Sequence, residues 1–106
     1  MKVTVSSQSV HVDDTLRNEV RDQVYFALSR YSPRIEQVIV RIGGVGGTLE
    51  IRRQLCRLSV RIKGLGSFLV ESVEEDIGEA VARAAERASR RLERILEEQR
   101  DERHTA

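Results

Sequence analysis

Val3 and Val5 alternate with Thr4 and Ser6, and Val10 and Val12 resume the alternation around His11, so residues 2–12 read as a half-buried strand. The polar Ser-Gln-Ser interruption at residues 7–9 marks a bulge or bend within it. Asp13 or Asp14 then supplies a helix cap, and Leu16, Val20, Val24, Ala27, Leu28 and Tyr31 follow at three- and four-residue spacing until Pro33. That is an amphipathic helix. Val38, Val40 and Ile42 make a second strand that stops at the glycine run of residues 43–47, which has no helical periodicity. Cys56, Leu58, Val60 and Ile62 face one way in a third strand, with Arg57, Ser59, Arg61 and Lys63 facing the other. Gly64-Leu65-Gly66 turns it back into a fourth, with Phe68 and Val70 on one face, so the last two strands form a hairpin. After Glu74, Glu75 and Asp76, acids suited to the positive end of a helix dipole, a long helix carries a core stripe of Ile77, Val81, Ala84, Ala85, Ala88, Leu92 and Ile95. The order is β-α-β-β-β-α.

At 106 residues this is one domain of the two-layer α+β class. We expect it to occupy residues 1–98, with residues 99–106 a frayed, charged tail, since past Leu96 the chain is Glu/Arg-rich without an apolar partner. The single cysteine rules out an intramolecular disulfide or a cysteine-bound metal and fits a reducing compartment. No stretch approaches the ~20 apolar residues that cross a bilayer, and the N-terminus lacks a signal-peptide core. A cytoplasmic location is expected, with no membrane partner.

The net charge of +1 conceals an uneven distribution. Residues 34–63 hold seven basic side chains against Glu36 and Glu50, whereas residues 71–79 hold five acids and no base. Sixteen of the 18 cations are arginine, which suits planar, bidentate phosphate recognition and also follows from a GC-rich genome. On the last helix Arg83, Arg87, Arg90 and Arg94 fall within about 60° of one another, with Arg91 at their edge. This ridge is either a phosphate-binding surface or a solvated face laced with Glu79, Glu86, Glu93 and Glu97. Arg57, Arg61 and Lys63, near Arg52 and Arg53 in the preceding loop, form a second basic row. That row reads equally as RNA contacts or as edge-strand charge against aggregation.

No catalytic constellation accompanies these features. The glycine run lacks the Lys-Ser/Thr pair of a phosphate loop and joins two strands. His11 and His104 have no neighbour at metal-ligand spacing, and Cys56 faces the predicted core. We expect no enzyme activity, no cofactor, no metal and no small-molecule substrate.

Four strings resemble the ribosome hibernation promoting factor and ribosome-associated inhibitor family, also called sigma-54 modulation proteins. They are residues 10–17 (VHVDDTLR), 26–31 (FALSRY), 56–62 (CRLSVRI) and 75–81 (EDIGEAV), collinear with the family over Val3 to about Leu96. The resemblance implies a four-stranded sheet with both helices on one face, similar in outline to double-stranded-RNA-binding domains. It also implies binding to small-subunit ribosomal RNA of the 16S type near the decoding region, where the protein obstructs messenger and transfer RNA in idle ribosomes under stress. The RNA-contacting positions it carries over are Arg17 and Arg30 on the first helix, Arg83, Arg87, Arg90, Arg91 and Arg94 on the second, and Arg57 and Arg61 on the third strand. Where relatives often carry basic residues, this chain has Gln8, Asp22, Gln23 and Leu96. The Asp22 and Gln23 departures support an alternative, a protein-interaction module of the same fold without ribosome affinity. The chain resembles the short family form, without the domain that pairs ribosomes, and a monomer is expected.

Overall fold

A computed structural model describes residues 1–7, 12–45 and 53–105, with side chains described through residue 102. Strand β1 (Lys2–Ser7) is followed by helix α1 (Asp14–Leu28), a 3-10 helix (Ser29–Arg34), strands β2 (Ile35–Val45), β3 (Arg53–Ile62) and β4 (Gly66–Glu74), and helix α2 (Ile77–Thr105). The strands form one sheet in the order β1-β2-β3-β4. β1 runs parallel to β2, a pairing that needs a crossover, which α1 supplies, while β2/β3 and β3/β4 are antiparallel. The element order and the α+β, two-layer architecture expected from the sequence are those observed.

Alternation decides which sheet face is covered. Val5, Val38, Val40, Ile42, Cys56, Leu58, Val60, Ile62 and Phe68 point to one side and are buried with Val20, Val24, Leu28, Val81, Ala84, Ala85, Ala88 and Leu92 of the helices. Both helices therefore lie on one face, and among the described residues no element covers the other face of the sheet. Small residues on α2 (Ala80, Ala84, Ala85, Ala88) let its backbone approach the sheet, and Leu92 fills the space beyond them. Burial pushes the Cys56 thiol up to about 12, so it stays protonated and serves as a small apolar side chain.

Local chemistry sets the helix starts. Asp13 accepts the Leu16 N–H at 2.8 Å and Asp76 accepts the Glu79 N–H at 3.1 Å, each satisfying a first-turn donor. The hairpin is closed by the Leu65 N–H donating to the Ile62 carbonyl at 3.1 Å, with Gly64 and Gly66 at φ 75° and 83°, values that favour glycine.

Several boundaries differ from the sequence reading. β1 is described only to Ser7, and Gln8 to His11 lie outside the described residues. The first helix gives way at Ser29 to a 3-10 turn that contains Pro33; the Ser29 hydroxyl also donates to the Phe26 carbonyl, which occupies an acceptor at the helix end. β2 does not stop at the glycines: Gly43, Gly44 and Val45 pair with Leu55, Gln54 and Arg53, because strand pairing needs only backbone groups. Arg53 accordingly belongs to β3 and not to a loop. α2 continues to Thr105 where a frayed tail was expected from residue 99. Ile95 and Leu96 pack against the core, and the Arg34 guanidinium donates to Gln99, tying the extension to the 3-10 turn.

Candidate nucleic-acid interface

The arginines of α2 do not form one uniform row. Three of them, at four-residue intervals, drape over the free edge of β4: Arg83 pairs with Glu74 at 2.8 Å, Arg87 donates to the Glu71 carbonyl at 2.5 Å, and Arg91 sits 5.4 Å above the Phe68 ring. β4 is thereby covered along an edge that would otherwise offer unpaired backbone groups. Arg90 and Arg94 project away from the sheet. Arg90 bonds Glu86 one turn back at 2.5 Å, and Arg94 has no ion-pair partner among the described residues.

Between Ile77 and Glu98 five arginines (83, 87, 90, 91, 94) are matched by five glutamates (79, 86, 93, 97, 98), a local balance of zero. Of these, Arg90 and Glu86 form an exposed pair, with side chains 73% and 59% accessible, while Arg83 is itself exposed but pairs with the half-buried Glu74. Such exposed pairs contribute about 0–1 kcal/mol, so a phosphate exchanges readily for a glutamate.

On α1, Arg17 is exposed in the first turns and Arg30 is exposed just beyond its end, 5.0 Å above the Tyr31 ring. Asp22 is exposed with Arg21 at 3.9 Å, while Gln23 donates to the Gly78 carbonyl at 3.2 Å. Gln23 at a commonly basic position therefore ties α1 to the start of α2.

The third-strand arginines stand on the opposite side of the molecule. β3 is an interior strand, so the reading of Arg57 and Arg61 as edge-strand charge is overturned. Arg57 pairs with Glu71 at 3.3 Å, and Arg61 and Arg53 are exposed on the uncovered sheet face; Arg52 lies outside the described residues. Of the sequence-selected cations, those on the helices thus share one layer and those on β3 the other. Arg41 was not selected, yet register places it on the uncovered face directly opposite Arg57. The alternation of Val38, Val40 and Ile42 already puts Arg41 outward; its partner across the strands is set by register and is not written in either strand alone.

Among the described residues no His, Cys, Asp or Glu cluster could hold a metal ion, and no helix is long and apolar enough to cross a membrane. His11 lies outside the described residues, as does the side chain of His104.

The family model for sigma 54 modulation protein / S30EA ribosomal protein matches residues 3–100. The chain belongs to this family. The fold is shared with two solved structures. The Protein Y N-terminal domain of Thermus thermophilus superposes with a TM-score of 0.72 at 21% identity, covering 90% of this chain and 99% of that one. A ribosomal subunit interface protein from Coxiella burnetii gives 0.71 at 13% identity, covering 91% and 98%. A comparison with curated protein sequences finds no match. At these identities the S30EA-type fold is shared while surface residues are free to differ, so the charges described above are properties of this chain.

Proposed function

We propose that this S30EA-family domain binds the small ribosomal subunit, contacts structured ribosomal RNA near the decoding region and keeps idle ribosomes from translating. The observation that carries the reading is the exposed arginine face of α2, on a domain whose family model is that of an S30EA ribosomal protein. Arg90 and Arg94 are its outermost phosphate contacts. Arg83, Arg87 and Arg91 lie beside them at the β4 edge, and Arg17 and Arg30 extend the contact along the first helix. Guanidinium groups offer paired donors to phosphate oxygens, and release of the counterions condensed on RNA provides the driving force. A site in the cytoplasm and a stress-response role follow from that partner.

The alternative is a protein-interaction module of the same fold. It is favoured by the equal numbers of arginine and glutamate, five each, between residues 77 and 98 of α2. Cell-free translation distinguishes them. Added at a few-fold excess over ribosomes, the protein is expected to suppress initiation on a reporter messenger, with suppression relieved by raising salt. Undiminished synthesis at saturating protein would favour the interaction module.

A further inference from the structure

Past Leu96 no side chain of α2 belongs to the core, yet the helix continues, and together with the 3-10 turn it walls a cleft of about 390 Å³. That volume lies within the range, roughly 300–1,000 Å³, of sites that hold small molecules. Arg30 and Arg34 line the cleft from the turn and Arg100 from the helix. Glu93 and Glu97, four residues apart and so on one side of α2, line it as well.

Both signs of charge are therefore present, and they do not neutralise one another. Among the described residues neither carboxylate forms an ion pair with any of the three guanidinium groups or with another cation. Glu97 and Arg100 stand three residues apart, within reach of a helical pair, and do not close one. Nearer the start of α2 the pattern is the reverse, since Arg83 and Arg90 each close on a glutamate. Arg34 is held by Gln99 and Arg30 rests over the Tyr31 ring, which leaves Arg100 without an ion-pair partner among the described residues.

Tyr31 supplies a second observation. It lines the same cleft and is only 9% exposed, and its hydroxyl is buried with no hydrogen-bond partner. A buried hydroxyl without a partner is destabilising, so the protein alone does not complete this corner.

The lining narrows the class of ligand. Guanidinium groups offer paired donors to phosphate oxygens. Carboxylates only accept, so they need hydroxyl or amine donors, which an inorganic anion lacks and the vicinal hydroxyls of a ribose provide. Between the two sets, Pro33 and Leu96 offer apolar surface to a flat ring.

We propose that the cleft between the 3-10 turn and the end of α2 binds a free ribonucleotide, with its phosphate on Arg30 and Arg100, its ribose hydroxyls on Glu93 and Glu97, and its base over Pro33 and Leu96. A ligand oxygen is the acceptor that the Tyr31 hydroxyl lacks, and the Arg34 bond to Gln99 holds the helical wall in place. This binding does not depend on the ribosomal reading. It meets that reading at one residue, because a nucleotide that engages Arg30 withdraws it from the RNA contact of the first helix.

Isothermal titration calorimetry of the whole chain with AMP, GMP, CMP, UMP, ribose 5-phosphate and inorganic phosphate tests the proposal. At least one mononucleotide is expected to bind with a sub-millimolar dissociation constant, ribose 5-phosphate more weakly and inorganic phosphate most weakly. R100Q, shown to be folded by circular dichroism, should weaken the tightest mononucleotide roughly tenfold, the loss of one charge-assisted phosphate contact. Wild type should prefer that nucleotide over its 2′-deoxy form, and E93A/E97A should abolish the preference whatever it does to overall affinity. No binding of any mononucleotide at millimolar concentration overturns the proposal, as does binding that R100Q leaves unchanged. Equal affinity of wild type for the ribose and deoxyribose forms also overturns it. Binding of a short RNA oligonucleotide without any mononucleotide overturns it too, because the cleft then belongs to the RNA surface. Every arm uses the isolated protein, so its outcome is separate from that of subunit binding.

Discussion

Replacing Arg90 and Arg94 together with alanine is expected to weaken small-subunit binding on the order of 30- to 100-fold, the effect of losing two charge-assisted phosphate contacts at about 1–1.5 kcal/mol each. These two are the cleanest probes of the helix face because neither braces the sheet, whereas Arg83, Arg87 and Arg91 bond Glu74, the Glu71 carbonyl and the Phe68 ring along β4. With three to four phosphates neutralised by the helix layer, that layer's share of the log–log salt slope is roughly −3, and the double alanine variant should flatten the total by about two. Lysine at both positions should retain most of the slope and lose part of the affinity, since it keeps the charge without the planar fork. Titration of labelled protein against subunits at several salt concentrations reads all three. An unchanged slope in a folded double variant would make the helix face an ordinary solvated surface.

The second large effect is on the fold itself. Leu92 is fully buried in α2, beyond the alanines that bring the helix onto the sheet, and it is among the largest side chains in the core. Leu92→Ala should cost about 3 kcal/mol, because the alanine-lined contact leaves few neighbours able to collapse into the cavity. For a domain of about 100 residues this lowers the melting temperature by roughly 12–20 °C. Thermal unfolding followed by circular dichroism measures it; a drop of less than about 5 °C would show that α2 is held mainly by its surface contacts.

The element order was legible because the signals that set it are local. The period-two valines of β1 and β2, the three- and four-residue spacing of the helices, and Asp13 and Asp76 as caps each act within one turn or one strand. What the sequence did not reveal depends on long-range partners. The persistence of β2 through Gly43 and Gly44 comes from pairing with Leu55 and Gln54, and the helical state of residues 99–105 is supported by Arg34 reaching Gln99. The site divides along the same line. The α2 ridge was readable from helical geometry, but only the fold shows that three of its arginines serve the β4 edge. Only register brings Arg41 opposite Arg57, and only strand order shows that β3 is interior, which removes edge protection as the explanation for its charges.

The central claim is association with the small ribosomal subunit, and sedimentation of a stationary-phase lysate containing the tagged protein through a sucrose gradient tests it most directly. The protein is predicted to travel with the 30S or 70S particles at low salt and to move to the top of the gradient as salt is raised; a protein found only at the top of the gradient at low salt would contradict the account.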